Sequence, residues 1–197
     1  WMGLDSVELL MRFEKEFKKD VPDEDAATLS TVGDVANWFF NNLVIHSPDK
    51  GVKQQILDKL QLALQTLNPK AGFKENDVLR DFIPKENLKS FWNDLEYELK
   101  LKIPKLNPQD FTEEKLKELK VLGITISRPK QAVLDMQFSR FAECIGAINY
   151  EKLVDFDTIS SLFEITIATI AITHEQCGVA IDEIFVTSSF TNDLGID

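Results

Sequence analysis

"LDSVELLMRFEKEFKKDVPDEDAATLSTVGDVANWF" occupies residues 4–39, and its reading decides the fold. Val7, Leu10, Phe13 and Phe17 recur at three- and four-residue steps, with Leu9 and Met11 on the shoulders. That is the spacing of one face of an amphipathic helix. Asp5 is a good N-cap, and Glu8, three residues on, completes a capping-box-like pair. The pattern predicts a helix over 5–19 that closes near Lys18 and Lys19, where positive charge suits a C-terminus. "DVPDEDAATLS" follows as a turn and short helix. "STVGDVANWFFNNL" then closes the block as a helix with Val35, Trp38, Phe39 and Leu43 on one stripe.

Working outward, "HSPDKG" at 46–51 reads as a linker. A second helical block begins at Val52, with Ile56, Leu57, Leu60, Leu64 and Leu67 as its apolar face. A loop follows, then a helix over 85–101 carrying Leu88, Phe91, Trp92, Leu95 and Leu99. "TEEKLKELKVLGI" at 112–124 reads as a short helix with a Thr cap, and 131–150 as a further helix. The stretch 158–174 is rich in β-branched residues, which favour a strand, but its length and its apolar spacing favour a helix. The tail from Val179 reads as a loop. There is also an internal echo: "ELLMRFEKEFKKDVP" and "SFWNDLEYELKLKIP" match at an offset of 82 residues, setting Phe13 on Leu95, Phe17 on Leu99 and Val21 on Ile103.

Composition narrows the function classes. The 197-residue chain carries a net charge of -11, which argues against nucleic-acid binding and favours a partner with a basic patch. Residues 1–46 hold nine acids and four bases, 51–130 twelve and fifteen, and 131–197 eleven and two. Both ends are therefore acidic and the middle mildly basic. No apolar run approaches the ~20 residues of a membrane span, and no secretory signal is visible. Cys144 and Cys177 form no CxxC pair, so a reduced, cytoplasmic setting is expected. His46 and His174 have no ligand-spaced partners, so no metal site is expected. No constellation supports catalysis, and an enzyme is not expected.

The quoted stretch closely resembles the second half of an acyl carrier protein. The family pattern is a helix ending in Glu-Glu-Phe, here Glu14 to Phe17, then a Pro-Asp-Glu turn, here Val21 to Glu24, then Thr-Val-Gly-Asp, here Thr31 to Asp34. "VTSSFTNDLGID" at 186–197 resembles the segment that precedes that helix, and 158–178 then take the place of the family's first helix. The order of the halves is reversed. Circular permutation, completion by another chain in a swapped homodimer, or a cut from a longer tandem array would each produce it. The resemblance implies an all-α fold of carrier-like four-helix bundles. Residues 1–46 would supply the second half of one bundle and 150–197 its first half. Residues 51–126 would form a degenerate second carrier-like block, with Lys85 and Leu88 where a serine would stand.

What the resemblance implies chemically is an acyl group presented on a 4'-phosphopantetheine arm, as in fatty acid or polyketide assembly. The arm needs an exposed hydroxyl at a helix N-terminus, where its phosphate meets unpaired N–H groups. Ser6, preceded by Asp5, is the candidate. Family spacing counted back from Phe17 instead reaches Gly3. The competing reading of Asp5 and Ser6 is ordinary helix capping. Without an arm, the chain would be a carrier-fold interaction module. Either way, Glu8, Glu14 and Glu16 are the candidate contacts for basic-patched acyl-processing enzymes or a phosphopantetheinyl transferase.

Overall fold

The computed structural model describes residues 3–47, 51–69, 72–112, 119–121, 124–127 and 130–196. The chain is helical, as the sequence predicts. It divides into two compact units: Trp1–Asp58 with Glu143–Asp197, and Lys59–Ala142. The boundaries differ from the expected ones. The 46–51 linker lies within the first unit, and the second extends past 126 to Ala142.

The first unit joins the two ends of the chain. It contains α1 (Leu4–Phe17), α2 (Asp23–Ala26), α3 (Val32–Asn42), α7 (Tyr150–Leu153) and α8 (Leu162–Cys177). Helix α8 is buried continuously from Glu164 to Thr173, so it forms the centre of the unit. Two of its threonines are satisfied locally: Thr169 and Thr173 donate to the carbonyls of Ile165 and Thr169 at 2.8 and 2.7 Å. That local bonding pairs both hydroxyls within the helix. Leu9, Phe13 and Phe17 of α1 and Val32, Val35 and Phe39 of α3 complete the core, with Phe17 stacked on Phe39 at 4.3 Å between centroids.

A seam of backbone hydrogen bonds sews the C-terminal tail to the start of α3. Thr31 pairs with Ser189 as an antiparallel bridge. Val32 N donates to Ser188 O at 3.1 Å, Gly33 N to Val186 O at 2.7 Å and Phe190 N to Ser30 O at 3.1 Å. Thr31 also caps α3 in a full capping box with Asp34. Partial burial penalises the Asp34 carboxylate, but hydrogen bonds from Thr31 and Ser30 outweigh it and hold its pKa below the usual value.

The second unit contains α5 (Leu88–Leu99) and parts of α4 (Val52–Leu67) and α6 (Phe138–Ile148). Its seam repeats the first. Val78 bridges Gln137, Leu79 N donates to Met136 O and Phe138 N to Asp77 O, each at 3.0 Å. The internal echo is also structural. Helices α1 and α5 both end on a left-handed lysine, Lys18 and Lys100. Each then turns back so that a glutamate on the helix accepts the backbone N–H seven residues on: Glu14 from Val21 at 2.7 Å, Glu96 from Ile103 at 3.1 Å.

Three local expectations are corrected. The helix expected over 112–124 is not formed where it is described: Leu119–Val121 and Ile124–Ser127 are antiparallel strands β1 and β2. Val121, Ile124, Thr125 and Ile126 are β-branched and suit a pleated pair better than a helix. Residues 113–118 lie outside the described residues. The helix expected over 131–150 is interrupted, because Met136 and Gln137 are extended to make the second seam. Finally, α1 starts at Leu4 with Gly3 as N-cap, so Asp5 lies inside the first turn instead of capping it.

Candidate functional site

The start of α1 is the place to which the sequence points. Gly3 caps it in extended backbone, φ -68 and ψ 175, with no side-chain cap. Asp5 is exposed in the first turn, where its charge suits the positive end of the helix dipole.

Ser6 is turned the other way. It is 6% exposed, and its Oγ has no hydrogen-bond partner among the described residues. It lines a cavity of about 20 Å³ with Leu9, Phe13, Leu29, Val35, Phe190 and Ile196. Those side chains come from both ends of the chain. Their apolar character leaves the hydroxyl as the polar feature of the cavity wall. The helix twist explains the placement: Ser6, Leu9, Phe13 and Phe17 form the buried row of α1, while Val7 and Leu10, expected on that row, are half-buried.

The three acidic candidates are separated by their surroundings. Glu8 is exposed, and its Oε2 lies 3.5 Å from Gln176 Nε2. Glu16 is half-buried. Glu14 is occupied within the fold, because its Oε1 holds the Val21 amide. On the same helix Arg12 is ion-paired with Glu175 of α8, while Asp5 and Glu8 are exposed near its start and Lys15 near its end. Sequence reasoning missed Glu14's structural role. The signal was there: in both echoed segments a glutamate stands seven residues before the turn's Val or Ile.

The weaker candidates find structural partners. His174 Nδ1 lies 2.7 Å from the Val179 carbonyl oxygen, closing the end of α8 beside the left-handed Gly178. His46 joins the first unit through its backbone, donating to Ile159 O at 2.9 Å. Among the described residues there is no group of three or more His, Cys, Asp or Glu arranged to hold a metal. Nor is any described helix long and apolar enough to cross a membrane.

A phosphopantetheine arm does not fit at Ser6 in this geometry. The attachment needs a hydroxyl facing solvent at the helix end, and Ser6 Oγ faces an apolar cavity. The residue that does stand at the helix end, Gly3, has no hydroxyl.

No family model matches the chain, and no solved structure matches it. Among curated proteins it is 50% identical over 41 residues to the acyl carrier proteins of two strains of Porphyromonas gingivalis. The matched stretch is 21% of this chain and 53% of each relative. The chain therefore spans about half the length of the curated relatives it matches, and its likeness to an acyl carrier protein is partial.

Proposed function

We propose that the first unit is an acyl-carrier-type module that docks on acyl-processing enzymes through the acidic side of α1. The cavity beneath the first turns of α1 supports this reading most directly. It is lined by apolar side chains from both chain ends, in a chain that is similar over 41 residues to an acyl carrier protein. At about 20 Å³ it is closed to a chain as it stands. Admitting one requires α1 to move away from Ala26 and Leu29. Asp5, Glu8 and Glu16 would meet a basic patch on the partner, where complementary charge sets the encounter rate and orientation.

The unmodified form of this reading is favoured by a specific observation, the burial of Ser6 together with a glycine at the helix cap. The arm-bearing form requires Ser6 to leave the cavity. Co-expression with a phosphopantetheinyl transferase, followed by intact mass, separates the two. The unmodified module shows no gain of a phosphopantetheine. A gain that vanishes in Ser6→Ala would reinstate Ser6 as the attachment site. Docking is tested with the same transferase: Glu8→Lys with Glu16→Lys should weaken binding at low salt, and unchanged binding would remove the acidic side of α1 from the reading. The seam between the chain ends could also form between two copies, and light scattering distinguishes that swapped homodimer from a monomer.

A further inference from the structure

Helix α1 is held unevenly along its length. Its second half is tied down: Arg12 is ion-paired with Glu175, and Glu14 holds the Val21 amide at 2.7 Å. Phe13 and Phe17 are buried there as well. Among the described residues, the first turn, Leu4 to Val7, has no such tie. Gly3 supplies no side-chain cap, so the first N–H groups of the helix lack the acceptor that a Ser, Thr, Asp or Asn cap provides. The Val7 amide reaches the Gly3 carbonyl oxygen at 3.3 Å, a long bond for a backbone pair.

Lifting that turn costs little packing. Leu4 is already 76% exposed, Asp5 is exposed and Val7 is half-buried. The apolar surface returned to water is small, and the hydrophobic penalty is small with it. Lifting the turn also relieves a cost. The Ser6 hydroxyl is buried in the cavity wall, with no hydrogen-bond partner among the described residues. A buried polar group left unpaired destabilises the closed form, and the penalty vanishes once water reaches it. Leu9 is buried, and marks where close packing of the helix resumes.

We infer that the first turn of α1, Leu4 to Val7, is a gate over the cavity, and that the buried Ser6 hydroxyl biases the gate towards opening. With the turn lifted, Ser6 leaves the wall, and Leu29, Val35, Phe190 and Ile196 face an entrance. The rest of α1 stays docked on its ion pair, its Glu14 bond and its phenylalanines. Elements that open in function are drawn from the least stable part of a fold, and this turn is such a part. The inference deepens the carrier reading and rests on it for what passes the gate. The opening itself does not depend on that reading.

The test is native-state hydrogen exchange of the full chain in low urea. The amides of Glu8, Leu9 and Leu10 bond back to the first turn, and should exchange through an opening nearly independent of urea. The amides of Ile167 to Ile170, at the buried centre of α8, should follow global unfolding and so show each variant folded. Ser6→Ala should slow exchange at Glu8 to Leu10 about tenfold. Ser6→Val should slow it too, because it removes the hydroxyl while valine is no better a helix former than serine. Ser6→Thr keeps the hydroxyl and should stay within about twofold of wild type. If Glu8 to Leu10 share the urea dependence of α8, the turn does not open alone and the inference is overturned. Unchanged or faster exchange in both Ser6→Ala and Ser6→Val overturns it as well, as does slowing in Ser6→Thr equal to that in Ser6→Ala. Failure of the docking test leaves these rates untouched, so the two failures are told apart.

Discussion

The Glu14 carboxylate holds the backbone N–H of Val21 at 2.7 Å, and so fixes the angle at which the chain leaves α1. Val21 is buried, so without that acceptor its amide would be left unpaired away from water. Hydrogen bonds to charged groups contribute about 1.5–3 kcal/mol, and Glu14 is partly exposed, which places its effect near the lower end. Glu14→Ala should therefore cost the first unit ~1–2 kcal/mol, and Glu16→Ala less than ~0.5 kcal/mol. Amide hydrogen exchange reads this at one site: the Val21 amide should exchange faster in Glu14→Ala and not in Glu16→Ala. An unchanged Val21 would mean the turn is held by packing alone.

Ser6 gives a prediction of opposite sign. A buried hydroxyl without a partner costs about 1–3 kcal/mol, and alanine is the better helix former. Ser6→Ala should raise the stability of the first unit by ~1 kcal/mol in urea denaturation. A loss of stability would show that the hydroxyl has a partner in solution.

Gly33 stands where the seam meets α3. A β-carbon added there would lie 2.8 Å from the backbone oxygen of Val186, which is the same oxygen that accepts the Gly33 amide at 2.7 Å. Backbone cannot swing aside as a side-chain tip can. Gly33→Ala should cost ~1–3 kcal/mol and should speed exchange of the Val32 and Phe190 amides, which are bonded on either side. Wild-type stability in this variant would show the tail free to shift.

Tyr150 makes stability depend on alkaline pH. Burial pushes its phenol up, and the charge of Glu175 and the hydrogen bond to it add, to about 12 from an ordinary 10.0. The hydroxyl donates to Glu175 Oε1 at 3.2 Å. The folded state therefore holds this proton more tightly than the unfolded chain does. The stability so gained is complete below pH 10 and is lost as pH rises towards 12. Tyr150→Phe should flatten that loss, and ultraviolet titration should lose its highest-pH phenol. A titration curve unchanged by Tyr150→Phe would assign the late phenol elsewhere.

Much of the first unit was legible because its elements carry local signals. The spacing of Phe13 and Phe17 gave α1, and the stripe of Val35, Trp38 and Phe39 gave α3. Helix α8 could be chosen on length, but its threonines concealed that it is buried all round. The place of Ser6 was misjudged because polarity was weighed above phase: it is three residues before Leu9 and seven before Phe13, on the buried row. The strands β1 and β2 were missed because a charged, helix-favouring run precedes them. The long-range partners escaped sequence reading altogether. Nothing near Gly33 announces Val186, and nothing near Asp110 announces Leu134.

The seam between the chain ends has a consequence for biosynthesis. Helices α1 to α3 are made first, yet α8, against which they bury their phenylalanines, is translated after the whole of Lys59–Ala142. Arg12 must wait for a partner 163 residues later. The second unit is contiguous in the chain and is complete in sequence while the first still lacks α8. Non-local contacts of this kind slow folding, and the early segment meanwhile exposes an apolar face that invites misassociation.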